Sequence, residues 1–271
     1  MEIDTYEKLS IFVDRWISGT IDLLIIESEA GLGKSHLIKE KLKETNFMAI
    51  NSHVTPLANY KQLYFNRNKL VWMDDVYYLL LNKLNVALMK QLCESTEVKR
   101  ICYHTTSELI ENVPQEFTTT SKVCISCNAI EGNNPHIRAI KDRAFHIKFV
   151  PTRAEVISKL QEVSSNYPLL EAGEKEEVLS LIETNSRNIK NLSLRTLIKG
   201  FQLYRFFKLK QVDWKEDFLK EIGLNDKMIK MNELLVRHDS DKERLNSWQW
   251  SRETFYKYKK LCEESESMAH F

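Results

Sequence analysis

The chain has 271 residues, of which 43% are hydrophobic and 28% charged, an ordinary globular balance that excludes a disordered or fibrous chain. Basic residues number 39 and acidic ones 38, so the formal net charge of +1 gives no global footprint for nucleic acid, and any such surface must be local. Five irregularly spaced cysteines exclude a disulfide framework and fit a reducing compartment.

The N-terminus, Met1-Glu2-Ile3-Asp4, is acidic where a secretory signal is basic, and no apolar run approaches a membrane span; a cytoplasmic chain with no membrane partner is expected. In chain order, residues 6–18 place Leu9, Phe12, Val13 and Trp16 at helical spacing. Residues 21–27 are a leucine and isoleucine run suited to a buried parallel strand. A helix over 34–44, a second strand over 69–73, a helix over 82–94, a third strand over 122–127 and a fourth over 145–150 follow. Strands alternating with helices predict an α/β fold, a doubly wound parallel sheet with helices on both faces. Beyond Pro151 the strand signals stop, and 152–165, 175–183 and 192–207 read as helices. The expected division is therefore residues 1–150 as an α/β core and 151–271 as a small all-α lid with a C-terminal helical extension.

Ser28-Glu29-Ala30-Gly31-Leu32-Gly33-Lys34-Ser35 lies between a strand and a helix, as a phosphate loop must. The backbone N–H groups of Glu29 through Ser35 and His36, with the positive end of the following helix, suit the phosphates of ATP. Lys34 is the candidate for the terminal phosphates and Ser35 for magnesium. Ser28 stands where that pattern expects glycine, which predicts some cost in loop geometry. Leu70-Val71-Trp72-Met73-Asp74-Asp75 delivers two carboxylates to the edge of the sheet where ligands bind. Asp74 is the expected magnesium partner, and Asp75 the general base for the attacking water. Cys124 and Cys127 form C-x-x-C inside an apolar strand with no second pair, so they read as buried thiols.

With these parts in this order the sequence resembles the AAA+ superfamily over roughly residues 6–210. The resemblance implies that Asn128 occupies the sensor-1 position and helps place the lytic water. It also implies that Arg143, with Arg138 as a second candidate, is an arginine finger acting in trans in a homo-oligomeric ring or helical spiral. Ser193-Leu194-Arg195-Thr196-Leu197 resembles the sensor-2 motif, making Arg195 a γ-phosphate contact from the lid. The family mostly carries glutamate at the position of Asp75, which implies slower hydrolysis here. Trp72 to Asp75, Val98-Lys99-Arg100, His104-Thr105-Thr106-Ser107, the stretch from Pro114 to Ser121 and Pro151 to Val156 resemble ATPases carried by phages and other mobile elements.

Residues 99–104 and 117–120 form an insertion, either a β-hairpin of the kind nucleic-acid motors point into a ring channel or an extra strand on the sheet edge. Two basic, aromatic patches, 199–215 and 248–260, suit single-stranded DNA by charge and stacking. In the first, Phe201, Tyr204 and Phe207 recur at helical spacing and suit a lid core; the second divides between a DNA contact and a helix docked on a neighbouring subunit. The expected activity is ATP hydrolysis by a DNA-associated motor or loader in phage or mobile-element replication or maintenance. A protein-remodelling ATPase acting on a replication protein partner, such as a helicase loader, and a slow ATP-dependent signalling switch are the other readings.

Overall fold

The structure is a computed structural model that describes residues 1–51, 53–76, 82–105, 112–130, 135–210 and 212–267. The chain divides into two compact units, Met1–Thr152 and Arg153–Phe271.

In the first unit the elements run β1 (Glu2–Ile3), α1 (Tyr6–Ile17), β2 (Leu23–Glu27), α2 (Lys34–Lys41), β3 (Phe47–Ile50), α3 (Pro56–Phe65), β4 (Leu70–Asp74) and α4 (Lys83–Leu92). They continue as β5 (Lys99–Cys102), β6 (Glu116–Thr119), β7 (Val123–Cys127), α5 (Pro135–Arg143) and β8 (Phe145–Phe149). Six of the strands make one parallel sheet in the order β1-β8-β2-β7-β4-β3. The chain leaves β2 for the edge at β3, returns through β4 and β7, then crosses β2 to β8. That reversal puts the loop after β2 at the switch point, where a doubly wound sheet opens a crevice at its C-terminal edge.

Covered on both faces, β2 is an unbroken apolar run, and Leu23, Leu24, Ile25 and Ile26 are buried. The core between the sheet and α3, α4 and α5 takes Ile25, Met48, Leu63, Met73, Leu88, Leu92, Ile125, Ile137 and Ile140. Side chains enforce the boundaries: Thr55 caps α3 with Pro56 in its first turn, and the Asn82 side chain accepts from Leu84 and Asn85 N–H at the start of α4.

Within this unit β1, β3 and α3 are not among the elements that the sequence predicts. The insertion resolves as β5 and β6 paired antiparallel in a sheet of their own, Ile101 opposite Phe117, rather than as an extra strand on the main sheet. Its feet are anchored below the main sheet, where the buried Lys99 donates to Ser121 O at 2.5 Å and Thr119 Oγ1 accepts from Asn68 N–H. Tyr60 stacks on Tyr103 and donates to Pro114 O at 2.6 Å, fixing the pair against α3. Thr106 and Ser107 lie outside the described residues.

The second unit is helical: α6 (Arg153–Ser165), α7 (Ala172–Asn185), a short 3₁₀ turn (Ser186–Asn188), α8 (Leu194–Lys210), α9 (Lys215–Glu221), α10 (Asp226–Arg237), α11 (Asp241–Asn246) and α12 (Arg252–Ser267). Gly200 lets α8 approach α7 and α9, since a Cβ there would meet Val178 Cγ1 at 2.7 Å and Phe218 Cζ at 3.1 Å. No helix among the described residues is long and apolar enough to cross a membrane.

Candidate nucleotide site at the sheet edge

The loop between β2 and α2 is shaped by two glycines in the left-handed region, Gly31 at φ 84° and Gly33 at φ 83°, a conformation that a side chain would strain. Ser28 is not among the positive-φ residues, so no glycine is needed there, and the expected geometric cost of Ser28 does not arise from its backbone. Its hydroxyl donates to Glu29 O at 3.3 Å, its N–H to Cys127 O at 3.2 Å, and Tyr6 Oη donates to Leu32 O at 2.9 Å, so the loop is tethered at both ends.

Lys34, the first residue of α2, is buried and turns its ammonium back into the loop. It donates to Ser28 O at 2.9 Å, Glu29 O at 3.3 Å and Asn128 Oδ1 at 3.2 Å. Ser35 Oγ donates to Asp74 Oδ1 at 2.8 Å. The same carboxylate oxygen accepts from Ser126 Oγ at 2.6 Å, and Ser126 in turn accepts from Trp72 Nε1 at 2.9 Å. Register explains the convergence: Asp74 pairs with Ser126 and Trp72 with Cys124 across β4 and β7, so alternate residues share one face. The Ser126 contact with Asp74 had not been read from the sequence.

Asp75 follows immediately, exposed, at φ 52°, with its N–H donating to Ser126 O at 2.8 Å. A left-handed aspartate costs on the order of 1 kcal/mol, tolerable for a short polar side chain held by its neighbours. Cys124 and Cys127, both within the buried strand β7, serve packing. Burial pushes the Cys127 thiol up to about 12 and the Cys124 thiol well above the ordinary range, so neither is a thiolate. No cluster of three or more His, Cys, Asp or Glu residues with metal-binding geometry occurs among the described residues. The hard oxygens of Ser35 and Asp74 fit magnesium, which takes few protein ligands and keeps water and phosphate for the rest. Lys34 fits a phosphate, because its present acceptors are oxygens that phosphate oxygens can replace.

No protein-family model matches the chain. An uncharacterized 36.7 kDa protein from the nrdC-mobD intergenic region of Enterobacteria phage T4 is 26% identical over 236 residues, covering 78% of this chain and 71% of its own. Among solved structures, a mutant of RuvB from Thermogota maritima aligns over 87% of this chain and 77% of its own, at 14% identity and a TM-score of 0.51. The fold is that of the AAA+ P-loop ATPases. A DNA replication initiation factor covers 97% of this chain and 75% of its own at 14% identity, but its TM-score of 0.44 is too low to add to that likeness.

In this AAA+ fold Lys34, Ser35, Asp74, Asp75 and Asn128 lie together at the C-terminal edge of the sheet, with Glu29 and Ala30 exposed on the loop. His36 is exposed and its ring faces Glu40 at 3.7 Å. Arg143, the last residue of α5, is exposed and donates to Lys90 O at 3.1 Å; Arg138 is exposed on the same helix. Arg195 is exposed in the first turn of α8, in the helical unit.

The two aromatic patches change meaning. Phe201 is buried against Tyr167, and Lys199, Lys208 and Lys215 pair with Glu221, Glu174 and Glu177, which consumes much of the basic character expected for DNA. In 248–260, Trp248 and Phe255 are buried with Met231 and Leu234 in a core of their own, so these rings are unavailable for stacking on bases or docking on a neighbour.

Proposed function

We propose that the chain binds ATP with magnesium and hydrolyses it at a site completed by a neighbouring copy, as a DNA-associated motor or loader assembled in a ring or spiral. The reading is carried by the meeting of Lys34, Ser35, Asp74 and Asn128 within hydrogen-bonding distance at the switch point of the sheet. Residues 1–150 act as the nucleotide-binding core and 151–271 as lid and extension. Lys34 exchanges its bonds to Ser28 O, Glu29 O and Asn128 Oδ1 for phosphate oxygens, which frees the Asn128 amide to place the attacking water. Ser35 and Asp74 hold the magnesium, which when bound supplies charge neutralisation at the phosphates. Asp75, exposed beside Asp74, takes the proton from the water. Arg143 of the neighbouring copy and Arg195 of the lid stabilise the charge on the transferring group.

The phage origin of the relative supports a role in phage or mobile-element replication or maintenance. The test is ATP turnover with and without single- and double-stranded DNA. Stimulation by either is expected. Turnover indifferent to both would overturn the DNA reading in favour of protein remodelling, which the exposed Phe206 and Leu209 at the end of α8 and Val212 beyond it favour.

A further inference from the structure

Lys141 joins three segments that the proposed reaction keeps separate. Its ammonium donates to Ile130 O at 3.0 Å, two residues beyond Asn128, and lies 3.0 Å from Glu27 Oε1, one residue before the phosphate loop begins. It stands on α5, two residues from Arg143. Ile137 and Ile140 bury the inner face of this helix, leaving Lys141 partly covered and Arg143 exposed. Glu27 Oε1 also lies 3.0 Å from His146 Nε2, yet both atoms are buried without a well-directed hydrogen bond. The Lys141 ammonium therefore holds this carboxylate oxygen by charge rather than by a directed hydrogen bond, with the His146 ring beside it, and the oxygen keeps the capacity to re-pair if α5 or the loop shifts.

The same segments meet again at Lys34, which bonds Ser28 O beside Glu27 and Asn128 Oδ1 beside the turn to Ile130. We infer that Lys141 is a positioning residue: paired with Glu27, it fixes α5 so that Arg143 reaches the neighbour's site. The inference rests on the shared-site reading and adds a residue that touches neither nucleotide nor reacting atoms.

The test separates the subunit that lends Arg143 from the one that receives it. Lys141→Met alone leaves the Glu27 charge with less compensation, so the working variant is the neutral pair Glu27→Gln with Lys141→Met. A mixture of Arg143→Ala subunits as receivers and Lys34→Ala subunits as donors, under conditions where they co-assemble, gives the reference turnover. The neutral pair placed in the donor should lower that turnover on the order of tenfold to a hundredfold, the scale of a misplaced catalytic group. Placed in the receiver it should leave turnover within about twofold, because the receiver lends no arginine. Lys141→Arg in the donor, with Glu27 native, should keep most of the reference turnover, since it retains the ion pair. Independently of turnover, the neutral pair should speed amide exchange over residues 135–143 while leaving the affinity for a fluorescent ATP analogue within about twofold. Equal losses in donor and receiver, or no loss in the donor, would overturn the inference. If the reference mixture is itself inactive although the subunits co-assemble, the shared site fails and takes this inference with it.

Discussion

At the C-terminal edge of the main sheet Lys34 is 6% exposed, and at the opposite edge Lys99 is 1% exposed. Lys34 spreads its ammonium over two backbone carbonyls of a loop and the amide oxygen of Asn128, all replaceable by ligand oxygens. Lys99 donates to the buried Ser121 O, with Asp22 Oδ1 4.0 Å away and Lys122 paired to that same carboxylate. Burial dominates and holds Lys99 below the ordinary lysine value, because the attraction of Asp22 is partly offset by Lys122. A buried lysine thus marks a binding site only when its partners can be exchanged; when they close on the protein itself, it ties a scaffold together.

The strongest way to break this contrast is Lys34→Ala. It should weaken ATP binding by about a hundredfold or more in equilibrium titration, since each hydrogen bond from a charged group is worth about 1.5–3 kcal/mol. Unchanged affinity would remove Lys34 from the site. Next comes Asp75→Asn, where ATP should still bind while turnover falls about 10²–10⁴-fold, because an amide cannot accept the proton. Single-turnover kinetics near the native rate would end the general-base role.

Lys99→Met should behave in the opposite manner, costing about 1–3 kcal/mol in denaturant unfolding because Ser121 O loses its donor, with ATP affinity within about twofold. The sign of its pH dependence follows from the lowered value. The folded chain releases the Lys99 proton before the unfolded chain does, so between that value and 10.5 the unfolded state binds more protons. Stability contributed by Lys99 is therefore lowest below this window and rises with pH through it. The stability advantage of the native chain over Lys99→Met should grow as pH approaches 10.5; a constant or shrinking difference would contradict the lowered value. The smallest expected effect is that of Ser28→Gly, a change of less than about threefold in ATP affinity, since the backbone at Ser28 already avoids the left-handed region.

The site was legible where its chemistry is written contiguously. Gly31, Gly33, Lys34 and Ser35 follow one another after an apolar strand, and Asp74 and Asp75 end another. Illegible were the contacts made by register and long-range packing, such as Ser126 with Asp74 and Lys141 with Glu27, which no local spacing announces. Among the elements, β3 escaped notice because Phe47-Met48-Ala49-Ile50 is too short to distinguish a strand from a helical turn by period. The start of α3 was more accessible, with Thr55-Pro56 carrying both a cap and a first-turn proline. Trp248, just before α12, and Phe255 on it are ambiguous in sequence because interleaved aromatic and basic residues look alike whether the rings face solvent or a helix; their burial with Met231 and Leu234 of α10 decides it.

Trp72 gives the hydrogen-bond chain at the sheet edge an optical consequence. Its indole N–H bonds Ser126, Ser126 bonds Asp74, and Asp74 receives Ser35, so the ring stands at the far end of the very groups suited to a metal ion. Indole emission shifts with the strength of the bond its N–H makes, and drawing the Asp74 carboxylate towards a cation changes how firmly Ser126 is held. With Trp16, Trp214, Trp248 and Trp250 replaced by phenylalanine, the remaining tryptophan would be an intrinsic fluorophore wired to Asp74, and magnesium loading could be followed in time without any label.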